Sequence, residues 1–161
     1  AHTINLDKLF ETFENTLSNF DNEHGMANSR ARIRMTTLYQ VAAANKGIVV
    51  GTGNKVEDFG VGFYTKYGDG GVDISPIADC NKSDVWEIGK SLNILNEIIE
   101  APPTDGLWDD GRTDEGQLGL KYEELEEAMN NPKSINREKY EKIRNMNLHK
   151  MEPIPVCKIP N

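Results

Sequence analysis

Several segments of this chain set charged and hydroxyl side chains among glycines, in patterns suited to anion and metal chemistry. Residues 51–58, GTGNKVED, directly follow a short β-branched run, Ile48-Val49-Val50. In an open α/β sheet, ligands sit at the C-terminal ends of strands. There Gly51 and Gly53 let the backbone approach a ligand, Thr52 adds a hydroxyl, and Glu57 can reach a divalent metal. The competing reading is a plain turn after a strand. Residues 63–73, FYTKYGDGGVD, place Lys66, Asp69 and Asp73 amid three glycines. A surface hairpin with tight acidic turns explains them too, although its flanking aromatics suit an ordered loop better.

Residues 28–35, NSRARIRM, open a helix. Arg30 and Arg34, four apart, share a face, and Arg32 points elsewhere. Asn28 and Arg32 suit an anionic or amide-bearing ligand through planar, bidentate hydrogen bonds; a solvated basic face is the alternative. Lys82 stands at a helix start, where the dipole favours anions. A phosphate sharing the site would reconcile the two, while an exposed lysine is the simpler account. Thr104 follows Pro102-Pro103, so a stiff backbone presents its hydroxyl or lets it cap a turn. His149 and Lys150 lie in a polar C-terminal stretch that can fold over a site or remain surface.

The elements that must position these residues follow from periodicity. Leu6, Phe10, Phe13, Leu17 and Phe20 recur at helical spacing. A second helix is expected from about Ala27 to Asn45, closed by Gly47. Ile48–Val50 reads as a buried parallel strand, with a second candidate at Val72–Ile74. Residues 51–79 read as an ordered functional loop, because a flexible linker would not carry Phe59, Phe63, Tyr64 and Tyr67. A helix starts near Asn81, capped with Asp84 three residues on, and a helical turn covers Leu95–Glu100. A polar loop is expected over 104–119. A helix over Lys121–Asn130 should present its glutamates to solvent, and a last helix spans about Ser134–Asn147. The helix–strand–loop–helix order indicates an α/β fold, part of an open parallel sheet.

Composition bounds the function. The 161 residues carry a formal charge of −8. That acidity argues against a nucleic-acid binder, whose affinity would rest on neutralising phosphates, but not against a small anion held by placed cations. No apolar run approaches the roughly 20 residues of a membrane span, and no charged-then-apolar leader opens the sequence. Cys80 and Cys157 lack metal or redox spacing, so a reduced, cytoplasmic setting is expected.

Taken in order, NSRARIRM, GTGNKVEDFGVGFYTKYGDGGVD, SPIADCNKSDV and APPTDGLWDDGRTDEGQLGLKYEELE resemble the ammonia-dependent NAD synthetase family over nearly the whole chain. The resemblance implies one partial synthetase domain over residues 1–161, with 148–161 as a C-terminal tail. It implies an adenine-nucleotide-hydrolase-like, Rossmann-like layered fold and a homodimer. It also implies ATP-dependent amidation of deamido-NAD with ammonia through an adenylated intermediate, assisted by Mg²⁺. Carried over residue by residue, Thr52, Lys82 and Thr104 resemble ATP contacts, and Glu57 resembles the Mg²⁺ ligand. Asn28, Arg32 and Asp73 match positions that hold deamido-NAD. Asp69 matches an aspartate near the reacting carboxyl, placing it with Lys82 as a catalytic candidate. His149 and Lys150 resemble a pair that closes over the substrate.

Two departures stand out. The family's Ser-Gly-Gly-x-Asp-Ser ATP loop is not found in this sequence, so the chain by itself is expected to be an incomplete synthetase. Gly53 and Asn54 stand where many relatives have an Asp-His pair. The alternatives are an inactive nucleotide-binding or dimerisation fragment, and another ATP-pyrophosphatase amidotransferase.

Overall fold

A computed structural model describes residues 1–108 and 110–159. The chain divides into two compact units. The first comprises Ala1–Thr52, Tyr64–Pro76 and Thr104–Arg112; the second comprises Gly53–Phe63, Ile77–Pro103 and Thr113 onward.

In the first unit, α1 spans Asp7–Thr16 and α2 spans Glu23–Ala44. Phe10 supplies the buried end of the α1 stripe, stacked on Phe13 and covered by the Arg30 guanidinium 4.3 Å from its ring centre. The stripe does not extend to Phe20. The α-helix stops at Thr16, a 3-10 turn follows, and Phe20 is left exposed. α2 begins before the expected Ala27 because the Asn22 side chain accepts from the Gly25 amide at 2.8 Å and caps the first turn.

The expected strand and its second candidate pair in parallel. Asp73 N donates to Val49 O at 2.9 Å, Gly51 N donates to Ile74 O at 2.8 Å, and Val50 and Ile74 form a parallel bridge. That bridge is isolated, so the open sheet expected from the sequence is not present among the described residues. Ile48, Val50 and Ile74 are all exposed, whereas parallel pairs are normally covered on both faces.

The second unit is built around a π-helical turn, Lys55–Val61. This turn falls inside the stretch read as loop. Its first amides, Val56 N and Glu57 N, are both held by the Asn54 side-chain oxygen at 3.0 Å. It ends at Gly62, whose φ of 66° is left-handed and whose missing Cβ would meet the Asn147 Cβ at 2.6 Å. The helices are α3 (Lys82–Ser91), α4 (Asn96–Ile99), α5 (Asp114–Leu118), α6 (Tyr122–Asn130) and α7 (Arg137–Met151). α5 likewise replaces part of the loop expected over 104–119, with the Thr113 hydroxyl capping it through the Gly116 amide.

Val56, Val61, Leu118, Leu120, Tyr122, Leu125, Ala128 and Tyr140 form the core of this unit. α7 closes it and runs past the expected end at Asn147. From one face, Arg144 donates to the Phe59 and Gly60 carbonyls, Asn147 to Val61 O at 3.0 Å and Lys150 to Gly62 O at 2.9 Å. The carbonyls that a π turn leaves unmatched are thus taken up by long polar side chains of α7. Among the described residues, no helix is long and apolar enough to cross a membrane.

Leu125 is fully buried at the centre of this core. Leu125→Ala should destabilise the second unit by about 2–5 kcal/mol. Urea unfolding read by Trp86 fluorescence, in a Trp108→Phe background, checks this; an unchanged midpoint would contradict the packing described.

Candidate functional site

The second unit holds a compact polar centre around Glu57. The Lys82 ammonium donates to Glu57 Oε1 at 2.8 Å, and the two side chains are only 17% and 15% exposed. The Tyr122 hydroxyl also donates to Oε1, and Asn54 Nδ2 donates to Oε2 at 2.6 Å. Each partner is fixed by its own element. Asn54 caps the π-helical turn that carries Glu57. Lys82 opens α3, and its ammonium lies 4.9 Å from the centre of the Tyr122 ring. Tyr122 opens α6, where Glu115 accepts from its backbone amide at 3.0 Å and its ring packs edge-on against Trp86.

A carboxylate offers about four lone-pair directions. Lys82 and Tyr122 occupy both on Oε1, and Asn54 occupies one on Oε2. Among the described residues one direction on Oε2 remains, enough for a single bond to a cation. No group of three or more His, Cys, Asp or Glu side chains among these residues could encage a metal. A metal here would take one carboxylate and draw its other ligands from water and phosphate, the habit of Mg²⁺.

The unfavourable lysine at the start of α3 now has a physical account. Glu57 neutralises it, and the helix-start amides have their own anions: Asp84 accepts from Asn81 N at 2.8 Å, and Glu126 accepts from Ser83 N at 2.9 Å and from the Ser83 hydroxyl at 2.7 Å. Glu126 therefore belongs to a helix cap rather than to a solvated face, contrary to the expectation for α6.

In the first unit, residues far apart in sequence meet at the Thr65–Asp69 turn. The Thr65 hydroxyl donates to Asn28 Oδ1 at 2.7 Å, and Thr65 N donates to Asp69 Oδ1 at 2.9 Å. Arg32 Nε donates to Lys66 O at 3.3 Å. Asn28, Arg32 and Asp69 thus converge on one segment. Asp73 lies on the parallel pair, where its carboxylate accepts from Val49 N at 2.7 Å and from the Tyr39 hydroxyl at 3.3 Å. Thr52 and Thr104 are exposed in this unit. His149 and Lys150 occupy the last turn of α7 in the second unit, where Lys150 holds the Gly62 carbonyl.

A family model for NAD synthase matches residues 1–158. The chain belongs to the NAD synthase family. It is 42% identical over 127 residues to the NH(3)-dependent NAD(+) synthetase of Thermoplasma volcanium, covering 79% of this chain and 51% of that protein. The corresponding enzyme of Thermoplasma acidophilum is 37% identical over 150 residues, 92% of this chain and 61% of the relative. Among solved structures, NMN synthetase from Francisella tularensis superposes with a TM-score of 0.89 at 32% identity, covering 98% of this chain and 66% of that one. The chain therefore spans about half to three fifths of the length of these two curated relatives.

Within this NAD synthase chain, sequence reasoning singled out Glu57 and Lys82 but missed the residues that hold them. Asn54 registered only as a departure from the family pattern. Tyr122 lay inside the expected helix Lys121–Asn130 with no role assigned, yet its hydroxyl also stands 3.2 Å from the buried Asp114 carboxylate. A tyrosine in a core stripe, where leucine would pack as well, was the available signal, because a buried phenol needs a partner.

Burial, and then the adjacent Glu57 and Asp114 carboxylates, push the Tyr122 phenol far above its ordinary value of 10.0. Tyr39 moves the same way, through desolvation and Asp73. A raised pKa means that the folded protein keeps a proton the unfolded chain releases. The stabilisation is complete below pH 10.0 and is lost as pH rises beyond it. In an absorbance titration of the five tyrosines, one phenol should therefore ionise only with alkaline unfolding, and Tyr122→Phe should remove it. Simultaneous ionisation of all five in the folded protein would contradict this arrangement.

Proposed function

We propose that this NAD synthase family member acts in the ATP-dependent amidation of deamido-NAD with ammonia, giving NAD, AMP and pyrophosphate. The observation that carries the proposal is the sheltered Glu57–Lys82 pair, in a chain matched by the NAD synthase model over residues 1–158. A carboxylate is a poor acyl donor, so the nicotinate oxygen first attacks the α-phosphorus of ATP as the bond to pyrophosphate breaks. Ammonia then attacks the activated carbonyl carbon, the bond to AMP breaks, and the nitrogen loses a proton. Both steps place negative charge on phosphate oxygens, which fixed positive charge stabilises.

In this reading Glu57 holds the Mg²⁺, and its open Oε2 direction fits that task. The metal supplies neutralising charge for the phosphates. Lys82 exchanges its contact with Glu57 for one with phosphate, and Thr52 and Thr104 contribute hydroxyls to ATP. Asn28, Arg32 and Asp73 hold deamido-NAD, with His149 and Lys150 closing over it. Asp69 takes a proton from ammonium. A homodimer belongs to the same proposal. The likeness to NMN synthetase makes the mononucleotide counterpart of deamido-NAD the natural competitor substrate.

The test is NAD formation from deamido-NAD, ATP, Mg²⁺ and ammonium, by a protein carrying these residues at the relatives' full length, with the mononucleotide assayed alongside. Glu57→Gln and Lys82→Met should each reduce turnover by about 100-fold or more. Preference for the mononucleotide would reassign the substrate. ATP binding without amidation of either would favour an inactive nucleotide-binding protein, and near-normal turnover of Glu57→Gln would remove Glu57 from the metal.

A further inference from the structure

We propose that Tyr122 is a positioning residue for the metal-accepting carboxylate: its hydroxyl, with the Asn54 amide, fixes the Glu57 side chain so that the remaining Oε2 direction is presented to a divalent cation. This rests on the reading of Glu57 as the metal-holding residue.

A glutamate has three rotatable side-chain bonds, and on a surface turn it would sample many orientations. Here it is gripped from two sides by donors that are themselves immobile. Asn54 is 2% exposed, and its oxygen is already committed to two backbone amides of the π-helical turn. Its amide group therefore faces Glu57 Oε2 in one orientation. Tyr122 is 1% exposed. Its backbone amide is tied to Glu115, and its ring stands at 84° to Trp86 with centres 6.0 Å apart. The ring cannot turn away, and the hydroxyl proton goes to Glu57, the nearer acceptor, rather than to Asp114 Oδ2 at 3.2 Å.

The chemistry of the two donors matters as much as their rigidity. Both are neutral, so they orient the carboxylate without cancelling its charge. Lys82 does cancel it, and Lys82 is a long, flexible side chain that the proposed function moves onto phosphate. When it leaves, Asn54 and Tyr122 still define where the Glu57 oxygens lie. Partners of this kind govern metal affinity although they never touch the metal. A merely structural tyrosine, by contrast, would affect folding and leave metal binding unchanged.

The experiment uses the full chain and Mn²⁺ as a paramagnetic substitute, titrated in the presence of ATP while amide resonances are followed by NMR. In the unaltered chain, broadening should centre on the Glu57 and Lys82 amides. Tyr122→Phe keeps the ring and removes the donor, and it should raise the Mn²⁺ midpoint about tenfold. Ile143→Ala loosens the same core without removing any contact described for the Tyr122 ring or hydroxyl, and it should leave the midpoint where it was. Glu57→Gln should abolish the localised broadening.

A Tyr122→Phe midpoint within about twofold of the unaltered chain, against the tenfold expected of a lost orienting partner, would overturn the positioning role. Loss of that role alone would leave the metal reading intact, provided Glu57→Gln still abolished broadening. An equal shift in Ile143→Ala, or loss of the folded spectrum in Tyr122→Phe, would show a structural role and overturn the proposal as well. Broadening that survives in Glu57→Gln, or that never localises in the unaltered chain, would overturn the metal reading and the positioning role together.

Discussion

A carboxylate withdrawn from water must be hydrogen-bonded or paired, because an isolated buried charge is too costly to keep. Glu57, with a side chain only 15% exposed, meets this demand with three donors from three elements. Asn54 comes from the entry to the π-helical turn, Lys82 from the start of α3 and Tyr122 from the start of α6. The same contacts organise the second unit. Asn54 caps the turn that carries Glu57, Glu126 of α6 caps α3, and α7 takes up the carbonyls at the end of the turn. Removing the carboxylate would leave an ammonium, an amide and a phenol without their common acceptor.

The arrangement also separates two tasks that a single salt bridge would merge. Lys82 balances the charge of Glu57, while the two neutral donors set its orientation. Under the proposed function, a cation arriving with phosphate would take over the first task and leave the second undisturbed. The first unit shows a comparable economy, with Asn28 and Asp69 both anchored on Thr65, and Asp73 pinning the parallel pair through Val49.

Periodicity made the long helices legible. α1, α3 and α6 carry an apolar stripe at helical spacing, and all five long helices lie close to where the sequence places them. The π-helical turn and α5 were not legible. Both are short, rich in glycine and acid, and held by side-chain caps from Asn54 and Thr113. Such elements owe their existence to particular hydrogen bonds, which leave no periodic trace. The sheet was legible only as two short β-branched segments. Their parallel pairing is present, and the further strands of an open sheet are not among the described residues.

The site divided along similar lines. Glu57 and Lys82 carry charge, and their place in an ordered series of motifs made them visible. Asn54 and Tyr122 carry none, and their local sequence speaks of a turn and of a core. Only the geometry shows that both face the same carboxylate. Asp73 and Lys150, singled out for substrate, hold backbone groups of their own units in this structure, a use that residue type and spacing do not disclose.

The most direct test of the account is to locate a cation. In crystals of this protein soaked with Mn²⁺ and a non-hydrolysable ATP analogue, anomalous scattering would mark the metal. The account predicts a peak bonded to Glu57 Oε2, with the Asn54 and Tyr122 hydrogen bonds intact and Lys82 turned towards phosphate. A peak on other side chains, or a Glu57 carboxylate that releases Tyr122 and Asn54 to reach the metal, would contradict it.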